Sequence, residues 1–195
     1  MSWLDTLERI RTKDFKKLSA KEREKAARDV INMSAYACAV VAVSPVPFSD
    51  ALLMLPIQSA MAVTVAHVYG RRLSQAAAKD LLVELGTVAG ASFLARQGIK
   101  AILPVFGALL TVPAAFAANW AIGRMAIEYF KRPDATREYL GQVYAEAKRE
   151  AGSLFSRESF HEFRKKNEDE LRGMAEEEPA PKRKKKRAVK KTAAA

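Results

Sequence analysis

One cysteine in 195 residues, Cys38, leaves no partner for an intramolecular disulfide, so the chain must be held by packing. Cys38 lies in the apolar run AYACAVVAV, where it reads as a small buried hydrophobe, and a reducing compartment fits it. Glycine and proline are not in excess (9 and 8), while 49% of residues are apolar, so the bulk of the chain should fold. Period-2 alternation is missing from the alanine-rich apolar runs, which excludes strands. The start, MSWLDTLERIRTKDF, has no apolar stretch of the kind a secretory signal needs. Also missing are G-x-x-x-x-G-K-[ST], G-x-S-x-G, H-E-x-x-H and C-x-x-C, the spacings that cradle phosphates, present a nucleophile or hold a metal. The two histidines are far apart: His67 reads as a hydrogen-bonded packing residue and His161 as part of a solvated face. Asp80 and Glu84 share a helix face four residues apart, with no cleft to make them an acid–base pair. The expectation is a non-enzymatic protein with no catalytic, cofactor-binding or metal-binding residues.

What is present is helix. The chain reads as all-α, an apolar middle carried between charged ends, and the net charge of +11 is unevenly spread. Residues 1–30 carry +3, residues 31–130 carry +2, residues 131–181 carry −2 and the last fourteen carry +8. Four regions follow: charged amphipathic helices over 1–30, an apolar helical domain over 31–132, charged amphipathic helices over 133–175, and a disordered polybasic tail over 176–195. Helix starts are marked at Ser2 or Asp5 and by the S-x-x-E box of Ser19 and Glu22. Pro45 and Pro47 end the helix that turns apolar at Val30; Gly70 caps the next, and Pro56 should kink it. A further helix is expected over roughly 74–97. The uncharged run 101–123 is broken or kinked by Pro104 and Pro113.

Residues 51–70 and 101–123 are as long as a bilayer span, about twenty residues. The run 33–44 rises only about 18 Å, too short to cross, so with their prolines the regions near 33–70 and 101–130 become helical hairpins entering and leaving on one basic side, flanked by Arg28, Arg71, Arg72, Arg96, Lys100, Arg124, Lys131 and Arg132. An apolar bundle core and a partner-binding groove are the competing readings. Gly86 with Gly90, and Ala114 with Ala118, have the small-x-x-x-small spacing that lets helices approach closely. Asp50 reads as an acid at a helix start, with a buried charge at a hairpin tip as the alternative. The tail cations Lys182, Arg183, Lys184, Lys185, Lys186, Arg187, Lys190 and Lys191 suit an anionic surface. They would also hold nucleic acid without sequence preference, through the tail only.

The segments PVPFSDALLMLPIQ (45–58), VYG (68–70), LGTVAGASFLAR (85–96), KAILPVFG (100–107) and AIGRMAIEYF (121–130), in that order, resemble a known family. It is the YcjF-like, GTPase-associated bacterial domain of unknown function (domain of unknown function 697), and the resemblance covers residues of about 30–132. The motif positions are Pro45, Pro47, Phe48, Asp50, Ala51, Gln58, Tyr69, Gly70, Gly86, Gly90, Pro104, Gly107 and Gly123. The resemblance implies a membrane-associated helical domain often fused behind a GTPase. This chain has no GTPase motif, so any GTPase would come from another chain. The expected function is a membrane-associated adaptor or envelope factor at the cytoplasmic membrane, its hairpins in the bilayer and its charged termini cytoplasmic. The alternative is a soluble cytoplasmic interaction module whose tail binds nucleic acid or an acidic protein. A homo-oligomer fits either reading.

Overall fold

The computed structural model describes residues 2–42, 50–97 and 107–177, and within these the side chains of all but 50–53, 90–97, 107–111, 172 and 174–177. Among the described residues every element is helical: α1 Trp3–Thr12, α2 Ala20–Val41, α3 Asp50–Val68, α4 Gln75–Gln97, α5 Gly107–Lys131, α6 Arg137–Leu154 and α7 Arg157–Glu177. The fold is all-α, as expected from composition and pattern. Residue 30, where the charged and apolar regions meet, lies inside α2, the helix that turns apolar at Val30. Pro45, Pro47, Phe48, Pro104 and the tail cations from Lys182 to Lys191 lie outside the described residues.

Local signals account for most helix ends. Ser2 and Asp5 form a reciprocal capping box at the start of α1, and Ser19 and Glu22 form another at the start of α2. Gly70 ends α3 with φ +70°. Its N–H donates to the His67 carbonyl at 2.9 Å while the Arg71 N–H donates to the Ala66 carbonyl at 2.8 Å, the paired bonds of a Schellman cap. A Cβ at Gly70 would meet nothing within 4 Å, so only the backbone conformation demands glycine there. Gly70→Ala should therefore cost about 1–2 kcal/mol, and Gly70→Asn less, because asparagine tolerates this conformation. Urea unfolding checks the order; equal midpoints for alanine and glycine would contradict it.

The direction of the helices follows from pairs of neighbours. Tyr36 and Phe116 have ring centroids 4.7 Å apart, Ile31 faces Gly123, and Glu24 meets Arg124 and Lys131, so α2 and α5 run antiparallel. Gln58 bonds Asn119, Met61 faces Gly123, and Tyr69 shares a cavity with Phe130 and Lys131, so α3 and α5 run parallel. One end of the bundle thus gathers the start of α2 and the ends of α3 and α5. At the other end α2 stops, and α3 and α5 begin.

Helix α3 is apolar all round, and its packing gives the reason: it touches α1, α2, α4, α5 and α7. Ile57, Met61, Ala62, Val65 and Ala66 are almost wholly buried. The outer helices close over it. Arg11 of α1 donates to Thr64 Oγ1 and to the Ala60 carbonyl of α3, each at 2.8 Å, and the Trp3 N–H donates to Asn167 Oδ1 of α7 at 2.7 Å. The α6–α7 junction sits on Tyr36, whose hydroxyl accepts from the Ser156 N–H at 3.2 Å.

The second hairpin differs from expectation. Pro113 does not break the apolar run; α5 passes through it to Lys131. Pro113 is the seventh residue of α5, and Pro56 the seventh of α3, each in the tract A-L-L-x-x-P. So near an N-terminus a proline withholds one N–H from a carbonyl four residues back, and only a short upstream piece must adapt. As a consequence Arg96, expected on the basic side, lies in the last turn of α4, at the opposite end from Arg71 and Arg124. Lys100 lies outside the described residues.

Small-residue spacing also misjudged the contacting faces. A Cβ at Gly86 would meet nothing within 4 Å, Ala114 is exposed and Ala118 only half-buried. The close approach is at Gly123, where a Cβ would stand 2.6 Å from Ile31 Cγ2 and 3.2 Å from Met61 Sδ. Spacing fixes which residues share a face but not which face meets a neighbour. The environment of Gly90 lies outside the described side chains.

Candidate functional site

Two of the motif residues lie together at the basic end. Gly70 turns the chain out of α3, and this places Tyr69 beside the first turn of α2 and the last turn of α5. There Ala20, Lys21, Arg23, Glu24, Tyr69, Arg71, Phe130 and Lys131 surround an open cavity of about 610 Å³.

Glu24 organises this end. Its carboxylate accepts from Lys131 Nζ at 2.7 Å, from Arg124 Nη1 at 3.1 Å and from Arg28 Nε at 3.3 Å. Burial alone would raise the pKa of Glu24; the hydrogen bonds from Lys131, Arg124 and Arg28 outweigh it and lower the group to about 2. Glu128 extends the network on α5, taking Lys131 at 3.2 Å and the Tyr139 hydroxyl of α6 at 3.0 Å. Arg28 reaches on to Glu150 of α6 at 3.1 Å. Burial, then the hydrogen bond to Glu128, raises the pKa of Tyr139. Helices α2, α5 and α6 are thus tied by charge at the end where their backbones come together.

Tyr69 stands at the edge of this network without joining it. Its hydroxyl oxygen is buried and has no hydrogen-bond partner. Burial, followed by the negative charge of Glu24, pushes its pKa up to about 12, so it is a neutral donor at any ordinary pH. Arg23, which also lines the cavity, likewise carries a buried, unpartnered Nε.

The remaining motif residues are dispersed. Gln58 donates from its amide to Asn119, a part-buried polar link between α3 and α5, and Asn119 donates to the Ala115 carbonyl of its own helix at 2.8 Å. Asp50, Ala51 and Gly107 fall in the opening turns of α3 and α5, at the opposite end of the bundle. Asp50 is the first residue of its helix, as read from the sequence, and its side-chain surroundings lie outside the described residues. His67 donates from Nε2 to the Lys13 carbonyl at 2.9 Å and meets Phe15 edge-on, a packing role. His161, Asp80 and Glu84 are exposed, and Cys38 is buried, which pushes its thiol pKa up. Among the described residues no three His, Cys, Asp or Glu side chains gather to hold a metal.

Sequence reasoning did not single out Glu24, Arg23 or Asn119. Asn119 had a signal, because it is one of only two polar residues in the uncharged run 101–123. Glu24 had none, since an acid in AKEREKAARD looks like any solvated helix residue until Arg124 and Lys131 arrive from the far side of the chain.

No curated protein and no solved structure matches this chain. Residues 8–149 match the family described as Domain of unknown function (DUF697), a wider span than the resemblance over 30–132 and one that takes in α2 to α5 and most of α6. The chain belongs to the DUF697 family.

Proposed function

We propose that this is a non-enzymatic helical protein that attaches to the cytoplasmic membrane by one end of its bundle. The observation that carries the reading is the parallel course of α3 and α5. Their opening tracts, DALLMLP and GALLTVP, lie at the same end, while Arg71, Arg124 and Lys131 lie at the other. Between α2 and α3 the chain contributes VSPVPFS, and between α4 and α5 GIKAILPVF, which hold a single charge, Lys100. Such an end suits shallow insertion, with the network around Glu24 in water. Among the described residues no helix is long and apolar enough to cross a membrane. The proposal is accordingly a monotopic contact, not a span.

The polybasic tail would add electrostatic attraction of about 1 kcal/mol per cation near acidic lipid. A GTPase on another chain, implied by the family resemblance, is a candidate partner for the charged end. Carbonate extraction of membranes from cells expressing the full chain tests attachment. Retention of both the full chain and a chain ending at Glu178 supports insertion by the apolar end. Recovery of the full chain as a soluble monomer without detergent overturns it in favour of the soluble interaction module.

A further inference from the structure

We propose that the cavity at the basic end is a binding site for a phosphate-bearing anion. Four cationic side chains, Lys21, Arg23, Arg71 and Lys131, line it against one carboxylate, Glu24. That carboxylate is already shared among Arg28, Arg124 and Lys131. Among the described residues Lys21, Arg23 and Arg71 make no ion pair, so the fold supplies them no counter-ion.

A second, independent observation points the same way. Arg23 Nε and Tyr69 Oη both lack an acceptor although both atoms are buried. Buried donors are nearly always satisfied, so two of the lining residues each carry a donor that the fold leaves without an acceptor. A phosphoryl group presents three acceptor oxygens and close to two negative charges, which matches a guanidinium fork, a phenol and ammonium groups better than a single carboxylate does. The Phe130 and Tyr69 rings supply apolar wall for the part of the ligand that carries the phosphate. The phosphate could belong to a soluble metabolite or to a lipid headgroup, and the cavity recognises what the two share. The inference stands apart from the membrane proposal, because it concerns the opposite end of the bundle.

The test uses the full chain with its eight tail cations changed to glutamine, so that only the folded body can bind. Inorganic pyrophosphate is titrated calorimetrically at low salt; in parallel, sedimentation is measured with phosphatidylcholine vesicles containing a fifth phosphatidylglycerol. Pyrophosphate should bind, and Arg23→Gln with Arg71→Gln should weaken it at least about tenfold, as loss of charge-assisted bonds does. Tyr69→Phe should weaken it about three- to tenfold without lowering the melting temperature, since its hydroxyl has no partner in the fold. Binding of pyrophosphate with vesicle binding indifferent to Arg23 and Arg71 assigns a soluble ligand. Vesicle binding that needs Arg23 and Arg71, without pyrophosphate binding, assigns a lipid headgroup. Failure of both probes, or affinities unchanged in the double variant and in Arg71→Gln alone, overturns the site.

Discussion

Alanine at Gly123 is expected to destabilise the fold by about 1–3 kcal/mol, the range for forcing an extra carbon into a filled core. The added Cβ would stand 2.7 Å from Ile31 Cβ as well as 2.6 Å from Ile31 Cγ2. Ile31 is fully buried and branched at the clashing carbon, so it cannot swing away as the end of a long side chain could. Met61 Sδ at 3.2 Å is the more forgiving neighbour. Relief must come from moving α5 away from α2, which also loosens the Tyr36–Phe116 contact further along the same pair. For a chain of this size the loss should lower Tm by about 2–4 °C per kcal/mol. Thermal denaturation by circular dichroism measures it, and a double-mutant cycle locates it. Ile31→Ala removes Cγ2 but keeps Cβ, so in that background the penalty for Gly123→Ala should shrink without vanishing. An unchanged Tm for Gly123→Ala would show that the two helices do not approach as closely as described.

Glu24→Gln should cost about 2–3 kcal/mol at pH 7, and the cost should disappear in acid. The magnitude comes from the distance between an ordinary glutamate and a pKa of about 2, at about 1.4 kcal/mol per unit. The carboxylate is 26% exposed and Arg124 only 14%, so solvent screens the interaction incompletely. Removing the carboxylate leaves Arg124 poorly hydrated and without its partner, the costly way to break such a pair. Because the folded pKa is depressed, the contribution is complete above the unfolded value near 4.5 and drains away as pH falls towards 2. Urea midpoints of the two proteins, measured from pH 7 down to pH 2.5, should therefore converge. Parallel curves across that range would exclude Glu24 as the hub of the network.

Local information wrote much of this fold into the sequence. The boxes Ser2/Asp5 and Ser19/Glu22, the glycine at 70 and the fully packed Cys38 each depend on residues within a turn or on simple hydrophobicity. Pro113 was misleading because the cost of a proline depends on where in the helix it falls, and that position is set by packing upstream. The apolar circumference of α3 suggested lipid, whereas in the described residues it is accounted for by five neighbouring helices. The cavity was hidden for another reason. Its wall joins residues 20–24 to 69–71 and 130–131, and no period or motif connects positions so far apart. Tyr69 and Gly70 stood out as part of a recurring pattern, but the unpartnered hydroxyl that gives Tyr69 its interest is a fact of three dimensions.

The shared place of Pro56 and Pro113 in their helices has a counterpart in the helices that precede them. Residues 26–31 read AARDVI and residues 77–82 read AAKDLL, and the two stretches alternate between core and solvent in the same order. Ala27, Val30 and Ile31 are buried as Ala78, Leu81 and Leu82 are, and Asp29 and Asp80 are both exposed. The pairs α2–α3 and α4–α5 thus share a proline position and a six-residue burial pattern, and each runs out and back in the same direction along the bundle.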